Sequence, residues 1–176
     1  RARGASTLVL RGAARVARRA ALDGGGIFAS GAGTRVELRD AAAVVASNAS
    51  RDGAGALVTD GAALGLRHGA SLRGNTAARY GGGARARDGA TLRASGSAAA
   101  FGNAAGARGG GVSLASGAVA RFNESARVEA NRATDGGGLH ADRAEIAMDG
   151  AAVVADNAAA VDGGGAMLES GAELAL

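Results

Sequence analysis

Apolar and polar residues alternate with period two in short bursts along the whole chain. Ile27/Ala29, Ala56/Val58, Ala84/Ala86, Val112/Leu114, Leu139/Ala141 and Ala166/Leu168 form one set of apolar-x-apolar segments. After a turn, mostly Gly-Ala, a second set follows at Val36/Leu38, Leu64/Leu66, Leu92/Ala94, Ala120/Phe122, Ile146/Met148 and Leu174/Leu176. A third, of the type Ala70/Leu72, Ala126/Val128 and Ala152/Val154, comes next. Alternation over so few residues predicts short strands with one face in and one face out. The turns between them are too short for crossover helices, which excludes a doubly wound α/β sheet.

The three sets recur as a unit. Each unit opens with a glycine triplet beginning at Gly24, Gly53 (as Gly-Ala-Gly), Gly81, Gly109, Gly136 and Gly163, at intervals of 29, 28, 28, 27 and 27 residues. A period this regular marks a solenoid. The fold class expected is all-β: a right-handed parallel β-helix of about six coils of 27–29 residues, with three short strands per coil, occupying residues 1–176 as a single segment. Coils stacked at roughly 4.8 Å give a rod on the order of 29 Å long, in which equivalent residues form columns.

Other columns follow from the same alignment. Asn48, Asn75, Asn103, Asn131 and Asn157 precede the triplets by five or six residues, with Arg19 in that place in the first copy. Stacked amides can hydrogen-bond up the rod as a structural ladder, and Asn tolerates a left-handed backbone. Ala21, Ala77, Ala105, Ala133 and Ala159, two residues after that place, suit a tight corner. The glycines suit turns where no Cβ fits.

Composition narrows the chemistry. With 32 Gly, four aromatics, and no Pro, Cys or Trp, the core is thin and largely alanine. Without cysteine there is neither a disulfide framework nor a thiolate metal site. All 20 basic residues are Arg, as a GC-rich coding sequence would give. A net charge of +4 against 16 acidic residues is no nucleic-acid footprint. The chain starts at Arg1, has no secretory h-region and no apolar run of membrane-spanning length, so a fragment of a longer repeat protein is expected.

Catalytic, metal and cofactor sites are expected to be absent. A phosphate loop needs a Lys that the chain lacks. A calcium roll needs Asp five residues after the first glycine; Asp23, Asp135 and Asp162 precede triplets, but the required places hold Ala29, Ala86, Leu114 and Ala141. The outward column of the first strand set reads Phe28, Leu57, Arg85, Ser113, His140, Met167, and that of the second Gly65, Arg93, Arg121, Ala147, Ala175. Neither gathers carboxylates, and the two histidines, His68 and His140, lie about 2.5 coils apart. Two outward features are left: a candidate anion patch at Arg93 and Arg121, and an exposed apolar pair at Phe28 and Leu57.

The stretches Val154-x-x-Asn157-x-Ala159-x-x-x-Gly163-Gly164-Gly165-Ala166 and Val128-x-x-Asn131-x-Ala133-x-x-Gly136-Gly137-Gly138-Leu139 resemble the repeats of chlamydial polymorphic outer-membrane proteins. Those repeats carry Phe-x-x-Asn and Gly-Gly-Ala-Ile/Leu elements; here Val or Leu stands for the Phe. The resemblance implies a right-handed parallel β-helix in an autotransporter passenger exposed at the cell surface and used in adhesion. The expected function is therefore a non-enzymatic structural or adhesive segment of a secreted or cell-surface protein. Its expected partners are a host-cell surface or glycan and neighbouring coils of the longer chain. The alternative is a carbohydrate-active β-helix protein, lyase- or hydrolase-like, with its active residues outside this segment.

Overall fold

A computed structural model describes residues 2–3, 5–45 and 49–176. Every regular element in them is a β-strand and every pairing is parallel. The chain winds through about six stacked turns, as expected for a β-solenoid.

A complete turn contributes one strand to each of four sheets rather than three. In the coil that opens at Gly109 the strands are Val112–Ala115, Val119–Phe122, Arg127–Glu129 and Arg132–Ala133. Their stacked equivalents form sheets I, II, III and IV, of seven, seven, six and five strands. Sheet IV was not legible from periodicity because most of its strands are two residues long, too short to show an alternation. The alanines two places after Asn are its inward residues: Ala77, Ala105 and Ala133 are buried. They are part of a strand and not a bare corner.

The turns between sheets I and II explain the recurrent Asp/Ser-Gly pairs. Asp60-Gly61, Asp88-Gly89, Ser116-Gly117 and Ser170-Gly171 have positive φ at both residues. The amide of the following alanine donates across the turn, as from Ala62 to the Thr59 carbonyl at 3.2 Å. This is the φ signature of a type I′ turn, which favours Asn, Asp or Ser followed by Gly. His68-Gly69 makes the same turn between sheets II and III, so His68 is an exposed turn residue.

Inward columns fill the rod. Val36, Leu64, Leu92, Ala120 and Ile146 stack in sheet II, and Leu38, Leu66, Ala94 and Phe122 beside them. All are buried. Large and small residues compensate between coils: Phe122 lies directly on Ala94, in the coil where Ala84, Ala86, Ala94 and Ala100 leave most room.

The Asn column runs along the inside of the rod. Asn75, Asn103 and Asn131 are essentially fully buried. The Asn103 Nδ2 donates to Asn131 Oδ1 at 3.0 Å and to the Leu72 carbonyl at 2.9 Å. Asn131 repeats this with Asn157 Oδ1 and the Ala100 carbonyl, both at 3.0 Å. Each Oδ1 also accepts the backbone N–H of the preceding Asn, at 2.9–3.0 Å. At Asn103 and Asn131 both amide donors and both acceptor sites are thus used. Asn48 lies outside the described residues. The left-handed backbone belongs to the residue before each Asn, namely Gly74, Gly102, Ala130 and Asp156, and not to Asn itself.

The glycine triplets are bound up with this ladder, each position for its own reason. Gly109 has φ +65°, and a Cβ there would lie 2.5 Å from the Val112 carbonyl oxygen and 2.8 Å from Ser113 Cβ. At Gly110 it would lie 2.5 Å from the Gly137 carbonyl oxygen of the next coil. At Gly111 it would meet the Gly138 carbonyl oxygen at 2.6 Å and Asn131 Nδ2 at 2.9 Å. The third glycine therefore vacates the space that the Asn amide fills.

An Asn131→Asp substitution tests the ladder. The carboxylate would face two acceptors, Asn157 Oδ1 and the Ala100 carbonyl, in a site from which water is excluded. A loss of about 3 kcal/mol or more is expected, read as a lower denaturant midpoint at neutral pH. An unchanged midpoint would show that the ladder contributes nothing.

Candidate functional site

Two outward columns carry the polar chemistry. On sheet I the register stacks Phe28, Leu57, Arg85, Ser113, His140 and Met167 on successive coils. This face is covered and not open. Leu57, Ser113 and His140 are buried and Phe28 is half-buried, so the expected exposed Phe28/Leu57 patch does not form. The cause is the segment that leaves sheet IV and turns back at each first glycine. A Cβ on Gly53 would lie 2.9 Å from Leu57 Cα, and the Tyr80 ring lies 4.2 Å from the Arg85 guanidinium carbon. Alternation identified the outer face correctly, but not the return of the chain across it.

Under that cover a polar chain crosses three coils. Ser113 Oγ is 3.2 Å from His140 Nδ1, and His140 Nε2 is 3.2 Å from Glu169 Oε1. Arg108 pairs with the same Glu169 and with Asp135. A carboxylate acceptor at Nε2 favours the tautomer that donates there, leaving Nδ1 to accept from the serine hydroxyl. Burial is the main influence on His140 and pulls its pKa below the usual 6.5; Glu169 opposes this, while Arg108 and Arg85 add to it. Serine, imidazole and carboxylate in sequence is the order of a nucleophilic relay. Ser113, however, is 1 % exposed, so no substrate carbonyl reaches its hydroxyl in this arrangement. Sequence reading took His140 as solitary because Glu169 sits two residues along its strand from Met167, the residue directly stacked on His140.

The outer face of sheet II is open. Arg93 and Arg121 stack in direct register and both are exposed. Arg121 has an exposed partner, Glu145, at 3.8 Å; Arg93 has no ion pair among the described residues. Such a surface pair contributes little. The sequence pattern missed the neighbours of these arginines. Arg39 and Arg67 stack one pleat away, and both approach a single carboxylate, Glu37 Oε2, at 3.7 and 3.3 Å. Glu37 is 8 % exposed and lies against Gly65, where a Cβ would come within 2.8 Å of that oxygen. Arg35, Arg39, Arg67 and Arg93 border a hollow of about 460 Å³ above Glu37. Arg67, Arg93 and Arg121 border a second, of about 250 Å³.

On the opposite edge, Arg51 and Arg79 make two-pronged hydrogen bonds to Asp23 and Asp52, with shortest distances of 2.9 Å. They tie neighbouring coils together. Among the described residues no group of three or more His, Asp or Glu side chains is placed to hold a metal ion.

His140 makes stability depend on pH with a definite sign. Its folded pKa is depressed, so below about 6.5 the unfolded chain takes up a proton that the folded rod resists. The stabilisation present at neutral pH is lost as pH falls through and below that value. Denaturant midpoints should drop between about pH 7.5 and about pH 5, and His140→Gln should shrink the drop. Equal drops in both proteins would contradict the assignment.

No family model matches the chain, nor does any curated protein or solved structure.

Proposed function

We propose that the chain is a non-enzymatic structural and adhesive segment, a β-helical stalk or display surface of a secreted or cell-surface protein. Its setting would be extracellular, in a passenger of the polymorphic outer-membrane protein kind. One observation carries this reading: the residues repeated from coil to coil are engaged in holding coils together. The Asn amides are saturated by one another and by backbone, and the glycines make room for them. The outward column of sheet II varies from coil to coil, as Glu37, Gly65, Arg93, Arg121 and Ala147, and takes no part in the ladder.

The competing reading is a carbohydrate-active β-helix enzyme. Against it stand the covered Ser113 and a sheet II face where Glu37 and Glu124 line different hollows and Glu37 is bound by Arg39 and Arg67 instead of being paired with a second acid for general acid–base work. No helix among the described residues is long and apolar enough to cross a membrane.

Incubation with a panel of neutral and acidic polysaccharides and with cultured cells separates the two. Retention on some surface or glycan with no release of reducing ends or unsaturated products is expected. Depolymerisation of any member of the panel would overturn the non-enzymatic reading.

A further inference from the structure

The face of sheet II has a charge pattern that selects a ligand. Arg39, Arg67, Arg93 and Arg121 occupy four successive coils, the first two in one column and the last two in the next. They trace a slightly diagonal line of guanidinium groups along the rod, roughly 14 Å from end to end at the inter-coil spacing of parallel strands. Arg35 flanks the line, and the two hollows adjoin at Arg67 and Arg93, which border both; together they are called the groove.

Stacked like charges repel unless an anion lies between them. The groove supplies only part of that anion. In the larger hollow four arginines face one carboxylate, Glu37, which is held low against Gly65. Arg39 Nε and Glu37 Oε2 are both buried there without a hydrogen bond and face each other at 3.7 Å, whereas Arg35 and Arg93 are exposed and have no ion pair among the described residues. Arg35 and Arg93 therefore keep unpaired, exposed guanidinium groups on a rigid sheet, which lowers the entropy lost when an extended ligand is bound.

We infer that this groove binds a linear carboxylated polysaccharide lying along the rod axis, its successive uronate groups meeting arginines on successive coils. Guanidinium forks match carboxylates in a two-pronged geometry. No aromatic side chain lines either hollow, so bases have nothing to stack on, which disfavours single-stranded nucleic acid. Neutral sugars would leave the arginine charges unmatched. Glu37 lowers affinity for a polyanion while fixing Arg39 and Arg67 in place. This inference rests on the display reading and gives that surface a ligand class.

The probe is polygalacturonate, measured against the whole 176-residue chain at low ionic strength by calorimetry or retention on a column. Binding that weakens with salt is expected. Arg67→Gln with Arg93→Gln should reduce affinity by about tenfold or more. Arg132→Gln, on sheet IV, should leave it unchanged. Glu37→Gln should tighten binding by about threefold or more, a gain that misfolding cannot imitate. Absence of binding, equal loss with Arg132→Gln, no gain with Glu37→Gln, or equal affinity for a single-stranded oligonucleotide of the same charge would each overturn the inference. If polygalacturonate fails while cells or neutral glycans still bind, the ligand class falls and the display reading stands. Cleavage of polygalacturonate would instead sink the display reading.

Discussion

Everything in this rod depends on how closely successive coils approach at the Asn–Gly edge. An amide that stacks on its copy in the next coil must have both donors and its oxygen paired, because no water reaches it. That requires a neighbouring backbone with nothing on its α-carbon, and the third glycine of each triplet meets the requirement: a Cβ on Gly138 would stand 2.7 Å from Asn157 Nδ2. Asn and Gly, separated by some twenty residues along a coil, are one structural device. The period of the sequence is the distance the chain travels before it can use the device again.

The rest of the interior follows from this tight edge. A coil that closes so narrowly has little volume to fill, and alanine fills much of it; single larger residues such as Phe122 and Leu114 take up what neighbouring alanines leave. Apolar burial per residue is correspondingly small. Inter-coil hydrogen bonds must hold much of the structure, and each coil depends on the ones above and below it. The polar run on sheet I, from Ser113 through His140 to Glu169, extends the same logic outside the core: covered groups whose hydrogen-bond partners stand on the next coil.

Much of this was legible in the chain and some was not, for physical reasons. Columns were readable because a solenoid repeats its register, so Arg93 falls on Arg121 and Ser113 on His140 as alignment alone places them. Sheet IV escaped notice because two residues cannot display a period. Covering of the Phe28/Leu57 column escaped because alternation says which way a side chain points and nothing about what returns over it. The groove around Arg93 was half visible. Arg67 and Arg39 belong to a neighbouring column, and the role of Gly65 appears only once the Glu37 side chain is seen lying across it.

The central claim, that the buried Asn ladder locks coil to coil, is tested most directly by amide hydrogen exchange. The backbone N–H groups of Asn75, Asn103 and Asn131, each donated to the side-chain oxygen of the next Asn, should exchange only when the whole rod opens, with protection equal to that of the inward residues of sheet II. Exchange of these amides at the rate of the exposed turns, while sheet II stays protected, would contradict the account.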